Sequence, residues 1–153
     1  MCIRDRNIIE DVSEKEKSYI WHEEMNNESL TCKAKIDIFT SQGFLFDVKT
    51  CVQLEDIERR DMDKYRYDLQ TSFYKRGLEK NNKKVRGVGI IAVEKEYPFH
   101  NHVFYVDDSY LKRGEYGGST KYKRIMGWRE ALRQVHFDPS PRFKDKITTL
   151  SIN

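Results

Sequence analysis

Apolar and polar residues alternate along residues 30–40 and 44–51, and this period of two predicts a pair of strands separated by Ser41-Gln42-Gly43. Three-residue hairpin loops commonly end on a left-handed residue, and glycine in third position tolerates that backbone. Upstream, residues 18–23 carry Tyr19, Ile20 and Trp21 and predict another strand, closed by a turn at Asn26-Asn27. From residue 54 to about 80 the spacing changes to three or four, through Met62, Tyr65, Leu69 and Phe73, without Gly or Pro before Gly77. One or two helices are expected there, ended by Asn81-Asn82. Residues 85–94 (VRGVGIIAVE) and 102–106 (HVFYV) predict a second strand pair. Asp107-Asp108-Ser109 can cap a helix over 110–135, weakened by Gly114, Gly117 and Gly118, and from Asp138 a loop and a last short strand are expected. The order strands, helix, strands, helix predicts an α/β (α+β) domain with a central mixed β-sheet flanked by helices.

The loop at 41–43 fixes the register of the first hairpin. Facing residues then sum to 84, which sets Asp37 opposite Asp47 and Lys35 opposite Lys49. Ala34, Ile36, Ile38, Phe44, Phe46 and Val48 are expected on a core face, and Lys35, Asp37, Asp47 and Lys49, continued by Phe39 and Leu45, on the other. Like charges facing each other on paired strands cost a few tenths to ~1 kcal/mol. A divalent cation relieves that cost, because Mg²⁺ or Mn²⁺ takes carboxylate, carbonyl and water oxygens and binds through one or two carboxylates plus substrate phosphate. Lys49 would then orient an attacking water or stabilise charge on the phosphate. A solvated, salt-bridged hairpin face is the alternative at this point.

The 153 residues suit one domain, and 38% hydrophobic and 12% aromatic content against 35% charged residues excludes a disordered chain. A net charge of +3 decides nothing about nucleic acid by itself. Clusters do more: Arg59, Arg60, Lys64 and Arg66, then Lys75, Arg76, Lys80, Lys83, Lys84 and Arg86, then Lys112, Arg113, Lys121, Lys123, Arg124 and Arg129 lie among aromatics and offer phosphate contacts. Cys2, Cys32 and Cys51 form neither a C-x-x-C pair nor a disulfide framework, and thiols in a reducing cytoplasm are expected. His22 reads as a surface residue, His100 and His102 as loop residues rather than ligands of a hard cation, and Tyr65 and Tyr67 as packing residues in preference to base-stacking platforms. Neither a membrane span nor a signal peptide is apparent. Met1–Arg6 (MCIRDR) reads as a translated adaptor sequence, leaving residues 7–153 as a single domain whose true N-terminus is expected to be missing.

KIDIFTSQGFLFDVKT resembles the D-x(n)-[DE]-x-K-T signature of the PD-(D/E)XK nuclease superfamily, and YRYDLQTSFY resembles the Q-x-x-x-Y helix of its RecB-like, Cas4-like and λ-exonuclease-like branch. With YIWHEEMNNESLTCKAKIDI and VEKEYP…VFYVDD, residues 14–135 most resemble the exodeoxyribonuclease VIII (RecE-like) nuclease domain. The resemblance implies a restriction-endonuclease-like core and a Mg²⁺-dependent exodeoxyribonuclease, working from duplex DNA ends in phage-type recombination in the cytoplasm of a bacterial or phage-infected cell. Asp37 and Asp47 correspond to its metal-binding acids, the Val48 carbonyl to a further ligand and Lys49 to the catalytic lysine. Gln70 and Tyr74 correspond to supporting, DNA-contacting residues, with Thr50 and Lys35 beside the motif. Implied partners are duplex DNA, a single-strand annealing recombinase and further copies of the full-length protein. Relatives also carry an upstream helix whose His or Glu completes the metal shell; here Glu10, Asp11 and Glu14 are the stand-ins, unless that helix belongs to missing sequence. The alternatives are a non-catalytic DNA-binding or assembly fragment of the same fold, or a restriction or CRISPR-adaptation endonuclease of the superfamily.

Overall fold

A computed structural model describes the backbone of residues 11–25, 27–120 and 123–137. The predicted leader at Met1–Arg6, Glu10, Cys2 and the tail strand lie outside the described residues. The chain opens with two long antiparallel strands, β1 (Val12–Met25) and β2 (Glu28–Thr40), and turns through 41–43 into β3 (Phe44–Cys51). Gly43 sits at φ 89°, the left-handed conformation that the loop length demands. A helical crossover then returns the chain to β4 (Gly87–Glu94), parallel to β3, and β5 (Asn101–Val106) runs antiparallel to β4. The sheet order is β1-β2-β3-β4-β5, so the expected mixed α+β sheet is present.

β1 is far longer than residues 18–23. Its charged half pairs with β2 because its charges have partners: Glu14 meets Lys17 at 2.8 Å, Lys83 at 2.7 Å and the Tyr19 hydroxyl. Short-range polarity undercounts such a strand, since the compensating lysine comes from a distant segment.

The crossover has two parts. Residues 54–64 form helix α1, whose middle, Ile57–Asp61, is π-helical, and α2 spans Tyr67–Lys80. Between them Arg66 takes a left-handed conformation (φ 56°, ψ 48°). That break resets the helical phase. Tyr67, Thr71, Tyr74 and Leu78 are buried on α2, while Tyr65 is exposed and Phe73 only half-buried, so the face predicted from Met62, Tyr65, Leu69 and Phe73 is displaced. α2 lies against β1 and β2, where Tyr74 and Leu78 join Tyr19, Trp21, Ala34, Ile36, Phe39 and Leu45 in the main core.

The single helix expected over 110–135 is two. Asp107 caps α3 (Asp108–Tyr116) by accepting from the Tyr110 amide at 2.8 Å, as its sequence suggested. Gly117 (φ 85°) then ends it, a two-residue ribbon of β6 (Gly118–Ser119) and β7 (Arg124–Ile125) intervenes, and α4 (Trp128–Phe137) follows.

α2 and α3 meet at close range around a buried aspartate. Asp68 is fully enclosed and takes Arg66 Nε at 2.9 Å and Arg113 Nε at 3.0 Å, while Arg113 also reaches Asp63 at 2.6 Å and Arg66 donates to the Met126 carbonyl at 2.8 Å. A buried charge tolerates this position only because two guanidiniums neutralise it. Gly114 makes the approach possible: a Cβ there would stand 1.9 Å from the Asp68 carbonyl oxygen. Helix propensity alone makes Gly→Ala stabilising by up to ~1 kcal/mol. Gly114→Ala is expected instead to destabilise by at least about 1–3 kcal/mol, through overpacking, as read from the urea midpoint.

Candidate active site

Register follows loop length as expected, with Ile38 facing Phe46 and Phe39 facing Leu45. Beyond that pair the strands part. The Asp37 carboxylate enters the opening and accepts the Val48 amide at 2.8 Å, doing the work of a ladder carbonyl. Asp37 thereby lies near enough to Asp47 for its charge to disfavour ionisation of the Asp47 carboxyl.

The assignment of faces is corrected. Ala34 and Ile36 share one core with Phe39 and Leu45, so the alternation of β2 shifts by one residue at Asp37-Ile38. β1 compensates opposite, where Glu16 takes a left-handed backbone (φ 48°), and the pairing sum is unchanged from Lys17↔Ile36 to Glu14↔Phe39. Asp47 and Leu45 therefore point under the helices, with Asp47 only 1% exposed, whereas Val48 is 39% exposed. Lys35 lies outside this constellation: it alternates with buried Ala34 and Ile36 and pairs with Glu16 at 3.0 Å. Thr50 also alternates away from Asp47 and Lys49 and is exposed.

Around Asp47 the polar contacts are few and directed. Gln70 Nε2 donates to Oδ1 at 3.2 Å and to the Tyr74 hydroxyl at 2.9 Å, so the i, i+4 pair on α2 reaches down to the strand. Lys49 Nζ lies 2.9 Å from Oδ2, and this ion pair is the contact that meets that buried oxygen. The same ammonium stands 5.0 Å from the centroid of the Tyr67 ring. Tyr67 was read as packing alone; its contact with Lys49 has no signal in the sequence beyond its place three residues before Gln70. Burial is the largest influence on Asp47, Lys49 opposes it and Asp37 reinforces it, and the carboxyl is pushed up to about 6 from an ordinary 3.8. Burial likewise pushes the Tyr74 and Tyr67 phenols up to about 12, so both stay protonated.

The oxygen set suits a hard divalent cation. Two carboxylates lie close together, the buried one is only partly compensated by Lys49, and the candidate ligand atoms are oxygens throughout. Among the described residues no cluster of three or more His, Cys, Asp or Glu side chains forms a fuller ligand set. The stand-ins for a third ligand are engaged elsewhere: Asp11 accepts from Ser41, and Glu14 holds Lys17 and Lys83. The histidines are likewise occupied elsewhere, His22 exposed beside Thr31, His100 on Glu94 at 2.9 Å and His102 against the Phe104 ring. Cys32 and Cys51 are free and buried, and burial pushes the Cys32 thiol up to about 11. Many cluster cations are paired with protein carboxylates, Arg60 with Asp56, Arg76 with Glu23, Lys75 with Glu79 and Arg129 with Glu115 among them.

Asp47 carries a pH signature. Because its folded pKa is raised, the metal-free protein loses stability as pH rises from about 4 through about 6, by up to ~3 kcal/mol for a two-unit shift. Asp47→Asn is therefore expected to match the wild type near pH 4 and to exceed it at pH 7 by as much as ~3 kcal/mol, in denaturant titrations with chelator. Equal differences at both pH values would contradict this.

The family described as "PDDEXK-like domain of unknown function (DUF3799)" matches residues 2–132. None of the curated proteins matches. Among solved structures, the chain is similar to a "Putative exonuclease" from Eubacterium rectale, with 18% identity, a TM-score of 0.57, and coverage of 98% of this chain and 51% of that one. It is also similar at 10% identity to SSO0001, with a TM-score of 0.42 over 65% of this chain and 46% of that one. The chain thus spans about half the length of each. The mixed sheet with its helical crossover is the restriction-endonuclease-like core, and the chain belongs to the PDDEXK-like family of that description.

Proposed function

We propose that this domain is a divalent-metal-dependent deoxyribonuclease that hydrolyses phosphodiester bonds, acting from duplex DNA ends in phage-type recombination. The observation that carries this reading is the buried carboxylate of Asp47, its charge opposed by burial and by Asp37 and only partly compensated by the Lys49 ammonium on Oδ2. Lys49 offsets only part of the cost of burying this carboxylate beside a second acid, and such an undercompensated oxygen cluster suits an oxygen-loving cation.

Asp37, Asp47 and the Val48 carbonyl would hold Mg²⁺ or Mn²⁺, which supplies Lewis-acid polarisation of the phosphoryl oxygens. Asp37 is held by the Val48 amide, so its position is fixed by the strand following Asp47. Gln70 fixes the Asp47 carboxylate through Oδ1, leaving Oδ2 as the ligand atom, and Tyr74 fixes Gln70. Lys49 supplies positive charge to the developing phosphoryl charge. In the full-length protein, duplex DNA, a strand-annealing recombinase and further copies of the chain are the proposed partners. No described helix is long and apolar enough to cross a membrane.

Cleavage of linear duplex DNA in Mg²⁺ or Mn²⁺ is expected, with covalently closed circles resistant. Asp47→Asn and Lys49→Ala are each expected to lower the rate at least ~100-fold, and Gln70→Ala by ~10–100-fold, as a residue acting through a ligand. Activity that survives both Asp47→Asn and Lys49→Ala removes the mechanism. Salt-sensitive DNA binding without metal dependence would instead favour the non-catalytic module.

A further inference from the structure

Residues two apart on a regular helix do not face each other, yet the rings of Tyr65 and Tyr67 stack at 5.9 Å with 22° between their planes. Arg66 accounts for it. Its left-handed backbone turns the chain between α1 and α2, and its guanidinium is locked onto Asp68 and the Met126 carbonyl. A non-glycine residue in this conformation is uncommon, and these two contacts hold it there. Packing explains only the inner ring: Tyr67 is 8% exposed, whereas Tyr65 is 55% exposed.

The stacked pair is continuous with the carboxylate site. From Asp47 Oδ2 it is 2.9 Å to Lys49 Nζ, from there 5.0 Å to the Tyr67 centroid, and 5.9 Å more to that of Tyr65. Lys64 Nζ lies 4.9 Å from the centroid of Tyr65, so a cation accompanies each ring. A half-exposed ring, backed by a buried ring and covered by a solvent-side ammonium that a base could replace, matches a nucleobase with its phosphate. Stacking serves any base, because every base has a π-face, while the ammonium takes the backbone charge.

We infer that Tyr65 is a stacking platform for one nucleobase of the DNA strand held at the Asp37–Asp47 site, with Tyr67 as its rigid support and Lys64 as the neighbouring phosphate contact. This rests on the nuclease reading, and it makes that reading specific: the site would grip an unpaired nucleotide beside the scissile phosphate, without sequence preference. Lone packing aromatics need neither the exposure nor the left-handed turn.

A thermodynamic cycle between protein and DNA tests it. The intact chain is titrated, with Ca²⁺ replacing Mg²⁺, against a fluorescent single-stranded oligonucleotide and a series carrying one abasic site at successive positions. Tyr65→Ala is expected to weaken binding of the normal strand about 5- to 150-fold, with Tyr65→Trp close to wild type. At one position the abasic lesion should weaken the wild type by a similar factor and leave Tyr65→Ala unaffected. A purely structural role for Tyr65 would lower affinity equally at every position. Absence of coupling at all positions, or failure of the wild type to bind, overturns the platform. Failure of the nuclease reading shows separately, as Mg²⁺-dependent cleavage insensitive to Asp47→Asn.

Discussion

The site depends on one carboxylate kept almost wholly out of water with its charge only partly compensated. Asp47 would be easily satisfied in an ordinary hairpin, where β2 and β3 would stay zipped and its side chain would point to solvent. Here the ladder ends after Ile38, Asp37 takes the Val48 amide, and Asp47 is driven beneath α2. Burial and a neighbouring acid both oppose its charge, and Lys49 returns only part of that cost. The free protein therefore carries a local instability that a cation with oxygen affinity would relieve, linking binding to fold stability.

The rest of the molecule keeps α2 where Gln70 can reach Oδ1. Gly114 allows α3 to press against the start of α2, and the Asp68–Arg66–Arg113 cluster fixes that contact by charge. Farther along, Gly77 admits the Trp21 ring, and Arg76 closes on buried Glu23, tying the end of the helix to β1. The helix is anchored at both ends, and the residue facing the strand acid lies between the anchors. Arg76–Glu23 and Arg113–Asp68 are the ion pairs that join this helix to its neighbours.

Much of this was legible in the chain because it is set locally. Loop length and Gly43 gave the hairpin register, the spacing of Gln70 and Tyr74 gave a shared helical face, and Asp107 marked the start of α3. The faces of β2 were misread because two opposed irregularities, at Asp37-Ile38 and at Lys15-Glu16, shift the alternation while leaving the register sum intact; a count of period two cannot see them. The core face of α2 was misread for a related reason, since the periodicity was carried through Arg66, whose left-handed turn is imposed by Asp68 and Met126 rather than by its own preference. The helix over 110–135 failed where its glycines already signalled weakness. The sequence shows cations but not every acid that pairs with them, such as Glu23 with Arg76 across 53 residues.

Lys49 joins the two halves of the functional reading. Its ammonium is paired with Asp47 while resting over Tyr67, and its side chain is about one-fifth exposed. Occupation of Oδ2 by a cation would displace it from the carboxylate, because two positive groups cannot share that oxygen at close range. The Tyr67 ring offers the displaced ammonium a second favourable contact, so the charge stays near the site instead of swinging into solvent. A lysine on a bare strand would lose its only anchor at that step. On this arrangement the aromatic pair does for Lys49 what Gln70 does for Asp47: each keeps a charged group in place through a change in what it touches.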